Sequence, residues 1–224
     1  GIRGAIWYQG ESNVGRAAQY GIIFPEMIKD WRDQFNSGDF PFYFVQIAPY
    51  NYNRPEATAE LRESQDKTQQ LKKTGMVVTM DVGNPGDIHP QDKTTVGKRL
   101  AAWALANDYG MSAPFRSPNY KVGSLTLEGS KVSVAFENTI GKLSTSNGKA
   151  PSDFTIAGPD MVFHPGIAVL NGNTVVITSN KVTQPIAVRY GWSDTSQPNL
   201  VGGSGLPATP FRTDEWPRVT EKHH

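Results

Sequence analysis

Cysteine is absent from the 224 residues, which excludes a disulfide framework and any thiolate metal site. Neither sign of charge is in real excess, since 22 basic against 21 acidic side chains leave a net charge of +1. Such a chain sets up no long-range field that would gather nucleic acid or an anionic membrane, so neither is expected as a partner and a small or neutral one is. Long hydrophobic runs are missing too, and nothing approaches the roughly 20 apolar residues that a membrane-spanning helix needs. No signal peptide is expected within the chain, because Gly1-Ile2-Arg3-Gly4-Ala5-Ile6 leads straight into a strand-like run. Histidine is scarce, and positions 89, 164, 223 and 224 are scattered, with no carboxylate cluster at ligand spacing; no metal is expected. His223 and His224 read equally well as native residues or as the remains of a tag. Repeats and low-complexity tracts are lacking as well.

What is present suffices for folding: hydrophobic residues make up 38% of the chain, enough to fill one large or two small cores. The first half alternates short apolar runs with helical patterns, the mark of parallel α/β units. Ala5-Ile6-Trp7-Tyr8, Phe42 to Ile47 and Met76 to Met80 read as strands, the second of them apolar enough to be buried on both faces. Between them, Tyr20, Ile23, Phe24, Met27, Trp31 and Phe35 recur at helical spacing. Pro55 opens a polar helical segment from Glu56 to Lys73, anchored by Leu61 and Leu71. Val96, Leu100 and Trp103 mark a third helix that stops near Asp108-Tyr109-Gly110. After about Pro114 the composition shifts to short alternating runs of Thr, Ser, Val, Asn and Gly, read as antiparallel strands at 131–136, 166–170, 174–177 and 185–190, with an Asn-Gly hairpin signal at 171–172. The expected division is an α/β portion over 1–112 and a β-rich region over 113–224.

Ligands of open parallel sheets bind where strands give way to loops at the carboxyl edge. Gln9, Gly10 and Glu11 follow the first strand; Asp87 and His89 follow the third. A side-chain amide beside a glycine N–H makes a suitable donor pair for a developing oxyanion. An imidazole with a nearby carboxylate is the usual base for activating a hydroxyl. Ser12 lacks the glycine two residues on that a nucleophile elbow requires, Val14 standing there instead, so Ser12 is expected to cap the turn or the next helix. His164 has no acidic companion and reads as structural, and Trp7, Trp31 and Trp103 read as core. Tyr50, Tyr52 and Arg54 follow the second strand, where they either line a sugar site or form a polar loop with solvent-facing aromatics.

Four ordered segments carry a more specific signal: Trp7-Tyr8-Gln9-Gly10-Glu11-Ser12-Asn13, Leu61-Arg62-Glu63-Ser64-Gln65, Asp87-Ile88-His89-Pro90 with the following Val96-Gly97-Lys98-Arg99-Leu100-Ala101, and Gly205-Leu206-Pro207-Ala208-Thr209-Pro210-Phe211-Arg212-Thr213-Asp214. Together they resemble the sialate O-acetylesterase family of SGNH-type hydrolases. The resemblance implies a flavodoxin-like α/β/α three-layer sandwich, truncated at its N-terminus, with a smaller β region. It also implies a nucleophilic serine in a Gly-Gln-Ser-Asn block upstream of Gly1, His89 as general base, and Gln9 with Gly10 as oxyanion donors or scaffold. SGNH hydrolases place the triad acid three positions before the histidine, where Gly86 stands here. Either Asp87 orients His89, or a backbone carbonyl or another carboxylate such as Asp81 does. Glu11 is expected to be buried in a hydrogen-bond network that fixes the loop and to be counted with the substrate-binding residues rather than the catalytic ones, because a free carboxylate would oppose an oxyanion.

The reaction so implied removes acetate from O-acetylated sialic acid, with acetylated xylan or another glycan as the alternative substrate, and needs no cofactor. A non-catalytic carbohydrate-binding or scaffold protein is the rival from another class. The expected partners are an acetylated carbohydrate and, to cover the missing strand, another chain or a second copy. The expected location is periplasmic or secreted, in a bacterium.

Overall fold

Phe42–Val45 has every residue buried because it runs down the middle of a parallel sheet covered on both faces. In the computed structural model, which describes residues 1–221, the sheet order is β1 (Ala5–Trp7), β2 (Phe42–Val45), β3 (Thr74–Val77). Both pairings are parallel, Ala5 opposite Phe42 and Phe42 opposite Thr74. Successive side chains of β2 point to opposite faces. Phe42 and Phe44 join α1 (Ala17–Phe35) and α2 (Pro55–Thr68), while Tyr43 and Val45 meet Val96 and Trp103 of α3 (Lys93–Asp108).

The observed helices correct three sequence expectations. The buried seam of α1 runs through Ala17, Tyr20, Phe24, Ile28 and Arg32, leaving Ile23 and Phe35 exposed at 46% and 54%. Arg32 belongs to the seam because its guanidinium donates to the carbonyls of Phe40 and Lys72, which a hydrophobic pattern cannot register. The second helix ends at Thr68, so Leu71 packs against the core from beyond it. Ser12 caps nothing: it sits inside a 3-10 helix, Glu11–Arg16, whose N-cap is Gly10 and has no side-chain cap. By contrast Asp92 caps α3, its carboxylate accepting from Thr95 N at 2.9 Å.

Two compact units divide the chain. The first comprises residues 1–116, 193–195 and 217–221; the second comprises 117–192 and 196–216. The chain therefore returns twice to the first unit, where the sequence suggests a single boundary near 112. His223 and His224 lie outside the described residues.

The second unit is all β, with β4 (Asn119–Tyr120), β5 (Thr126–Glu128), β6 (Lys131–Glu137), β7 (Ser144–Thr145), β8 (Phe154–Ala157), β9 (Phe163–Pro165), β10 (Ile167–Asn171), β11 (Thr174–Thr178), β12 (Ala187–Tyr190), β13 (Leu200–Val201) and β14 (Phe211–Arg212). One sheet runs β10-β11-β6-β4 with β5 also on β6, another runs β14-β12-β8-β9, and β13 pairs β7. Alternate residues of β6 and β11, namely Val132, Val134, Val175 and Ile177, share a core with Ile156 of β8 and Val188 and Tyr190 of β12. The expected hairpin joins β10 to β11 through Gly172 at φ +62°. His164 lies on β9 opposite Ile156.

Candidate active site

The carboxyl ends of β1, β2 and β3 give way to three loops that hold all eight residues singled out from the sequence. Gln9 is gripped from several sides. Its carbonyl accepts from Gln65 Nε2 at 3.2 Å and from the Tyr20 hydroxyl at 3.3 Å. The same hydroxyl lies 3.3 Å from Gln9 Oε1, and Gln9 Nε2 donates to Asn13 Oδ1 at 2.9 Å. Gly10 has φ +151°, and a Cβ on it would lie 3.0 Å from Ile47 Cγ2 and 3.1 Å from Gln65 Nε2. Glycine is needed there for conformation and for space alike. The buried Gly10 carbonyl accepts from Asn13 N at 2.8 Å, closing the turn into the 3-10 helix.

Beyond β2, the Tyr50–Arg54 loop is fixed by residues far away in sequence. Tyr50 N donates to the Asp194 carbonyl, Asn51 N to the Pro85 carbonyl in the loop after β3, and Arg54 N to Asp194 Oδ2 at 3.3 Å. Tyr50 and Tyr52 meet edge to face, centroids 4.9 Å apart. Beneath them, fully buried Arg62 spends its guanidinium on four backbone carbonyls: Ile47 at 3.1 Å, Ala48 at 3.3 Å, Ser193 at 2.6 Å and Asp194 at 3.1 Å. Burial pushes its pKa down to about 10, opposed by Tyr52 and by the Asp194 carboxylate, so Arg62 stays a cation at neutral pH. Burial raises Tyr52 strongly and Tyr8 to about 12, with Glu11 adding to both, so both phenols stay neutral. The Tyr8 hydroxyl faces the Ala48 main chain without closing a hydrogen bond of acceptable geometry.

After β3, His89 is 87% exposed and its Nδ1 lies 3.8 Å from Asp87 Oδ1. That separation suits an ion pair once the ring is protonated, and is too long for a hydrogen bond. The same Asp87 oxygen accepts from His89 N at 2.9 Å, so the carboxylate shapes the turn that presents the ring. Asp81 is committed elsewhere, to Arg99 through bonds of 2.7 and 2.5 Å. Lys93 lies 5.3 Å from the Tyr8 ring centroid, tying the start of α3 to the end of β1. Among the described residues no group of three or more His, Asp or Glu is arranged to hold a metal ion.

The Leu61-Arg62-Glu63-Ser64-Gln65 segment thereby acquires a physical meaning. Leu61 fills the core, Arg62 clamps the β2 loop, Glu63 pairs with Arg218, Ser64 donates to the Ala17 carbonyl, and Gln65 grips Gln9. Asp194, Asn13 and Tyr20 are site-forming residues that reasoning on sequence alone missed. Only the two near Gln9 carried a usable signal, by proximity along the chain.

The family described as carbohydrate esterase, sialic acid-specific acetylesterase, matches residues 1–106, the stretch that builds all three loops. Just under half of the chain is thus similar to this family. It is 29% identical to the sialate O-acetylesterase of Mus musculus, in an alignment covering 86% of this chain and 40% of the mouse protein. Against the sialate O-acetylesterase of Rattus norvegicus the identity is 33%, over 62% of this chain and 30% of that protein. A carbohydrate acetylesterase of Xanthomonas citri has a similar crystal structure, with TM-score 0.91 and 39% identity over 96% of this chain and 51% of its own. The chain thus spans about half or less of the length of these relatives. The loop residues within the matched stretch are held here by a buried polar scaffold on α2 rather than by apolar packing alone.

Proposed function

We propose that this chain carries the oxyanion-side and base-side loops of a serine-type carbohydrate O-acetylesterase acting on O-acetylated sialic acid. The observation that carries the reading is the pairing, at the carboxyl edge of one parallel sheet, of a rigidly held Gln9-Gly10 turn with an exposed His89 facing Asp87. In this reading the sheet is the core of a flavodoxin-like SGNH sandwich. The nucleophilic serine comes from a strand beside β1, outside this sequence. Ile6, 70% exposed at the end of the strand order, is consistent with a neighbour there.

The serine hydroxyl attacks the acetyl carbonyl while the His89 imidazole takes its proton. Charge then develops on the carbonyl oxygen, facing the Gly10 N–H and the Gln9 amide, donors that need no reorganisation because Gln65 and Tyr20 already fix them. Asp87, 3.8 Å from Nδ1, favours the imidazolium that forms. Collapse expels the sugar oxygen with the proton from His89, leaving an acetyl-enzyme, and water activated by the same ring releases acetate.

Likeness to the Xanthomonas acetylesterase, whose description names no sialic acid, favours a second reading in which the ester sits on a neutral glycan such as xylan. Acetate release by the full-length protein from O-acetylated sialic acid and from acetylated xylan, with His89→Ala in parallel, tests both. Loss of release in the variant supports the mechanism, and the ratio between substrates separates the readings.

A further inference from the structure

Arg54 leaves the loop after β2 from a backbone held on both sides. Its N–H donates to Asp194 Oδ2, and its carbonyl accepts from Thr58 N at 3.0 Å and Thr58 Oγ1 at 2.9 Å. The guanidinium then lies across Gly15, so close that a Cβ at that position would overlap Arg54 Nη1. Among the described residues Arg54 makes no ion pair, although most arginines of the unit have partners: Arg32 with Asp39, Arg99 with Asp81, Arg218 with Glu63. An exposed, unpaired cation laid over a glycine floor is poised for an anion.

Around it opens a cleft of about 450 Å³, within the range of about 300–1,000 Å³ that small-molecule sites occupy. Gly15, Pro55, Ala57 and Val219 give it largely apolar walls. Its polar lining is Arg54, Glu56 and Thr220. Thr220 is committed, since its hydroxyl donates to Glu60 Oε2 at 2.6 Å and accepts from Ala18 N at 3.1 Å. Glu60 also accepts from Val219 N at 2.7 Å and Thr220 N at 3.1 Å, which fixes that wall. Arg54 and Glu56 therefore remain to meet a ligand, one able to pair with a carboxylate and the other to accept from hydroxyls. The cleft adjoins the proposed catalytic loops, because Gly15 belongs to the 3-10 helix after Gly10 and Arg54 to the loop of Tyr50 and Tyr52.

We propose that this cleft is a subsite for an acidic sugar, whose carboxylate Arg54 takes through its planar guanidinium while the apolar walls take its C–H faces and Glu56 its hydroxyls. Arg54 is then the residue that distinguishes an acetylated sialic acid from a neutral acetylated glycan. The inference rests on the esterase reading for its biological meaning and on the cleft alone for its binding chemistry.

Gly15→Ala gives a clean probe. Its backbone needs no special φ, and the collision is with the far end of a flexible side chain, so the fold stands and the guanidinium moves. The experiment titrates the protein with N-acetylneuraminic acid and with its neutral methyl ester at pH 7, by NMR, beside Arg54→Gln and Gly15→Ala. The expected result is that wild type prefers the acid by about tenfold or more, as befits one desolvated charge-assisted contact, with shifts centred on Gly15, Ala57 and Val219. Arg54→Gln abolishes the preference and Gly15→Ala weakens it. Equal binding of acid and ester, no binding of either, or a preference that survives Arg54→Gln would overturn the proposal. Hydrolysis of a neutral aryl acetate by the full-length protein is measured alongside. His89-dependent hydrolysis without acid preference sinks this inference alone, and acid preference without hydrolysis sinks the esterase reading alone.

Discussion

Replacing Gln65 by Glu changes one atom type in a fully buried side chain and tests how the Gln9-Gly10 turn is held. Glutamate still accepts from Ile47 N, as Gln65 Oε1 does at 3.0 Å, but it cannot donate to the carbonyls of Gln9 and Val45, which Gln65 Nε2 now meets at 3.2 and 3.3 Å. Two buried acceptors are left facing an oxygen. At about 1–3 kcal/mol for each unsatisfied group, offset by some relaxation, the expected loss at pH 7 is about 2–4 kcal/mol. The new carboxyl gains its proton more readily folded than unfolded, because burial and the two carbonyl dipoles oppose its charge. Its folded pKa therefore lies above the ordinary value of about 4.3, and the deficit grows as pH rises from that value through the raised one. Urea unfolding at pH 4.5 and pH 8 measures this, and amide exchange at Gly10 and Glu11 reports the turn directly. A loss below about 1 kcal/mol, independent of pH, would refute the assignment of Gln65 as the support of the turn.

Arg62→Lys keeps the charge but offers one ammonium to four carbonyls, and is expected to cost about 2–4 kcal/mol in urea unfolding. Asp66 has its pKa raised to about 6, chiefly by burial, so the folded state binds a proton that the unfolded chain releases near 3.8. Stability therefore falls between about pH 4 and 6 and stays lower above, and Asp66→Asn is expected to gain about 1–3 kcal/mol at pH 7 and almost nothing at pH 4, as read by urea titration. His89→Ala removes a side chain that is 87% exposed, so its unfolding midpoint is expected to match wild type within about 0.5 kcal/mol while acetate release falls by about 10²–10⁴-fold.

Parallel α/β units and the β10–β11 hairpin are legible in the sequence because hydrophobic periodicity and an Asn-Gly turn act locally. Helix α2 is where that logic fails. Thr58, Glu60, Arg62, Ser64, Gln65 and Thr68 are all buried, and a hydropathy pattern reads such residues as a solvated face. Their burial is tolerable because partners from distant segments satisfy them, as Glu60 does with Val219 and Thr220, and Arg62 with Ser193 and Asp194. Asp194 shows the same limit more sharply, since three residues return to the first unit from amid the β-rich stretch and bring it to Arg54. The candidate site was visible as loop ends following strands, Gln9 to Glu11 and Asp87 to His89. How they are held was less so, because supports such as Gln65 to Gln9 and Asn51 to Pro85 cross the sequence by hydrogen bonds that leave no periodic trace.

Acetate release from O-acetylated sialic acid by the full-length protein, with a folded His89→Ala variant beside it, tests the central claim most directly. Wild type is expected to release acetate, and the variant at least about a hundredfold less. Release that persists unchanged without the imidazole would contradict that claim.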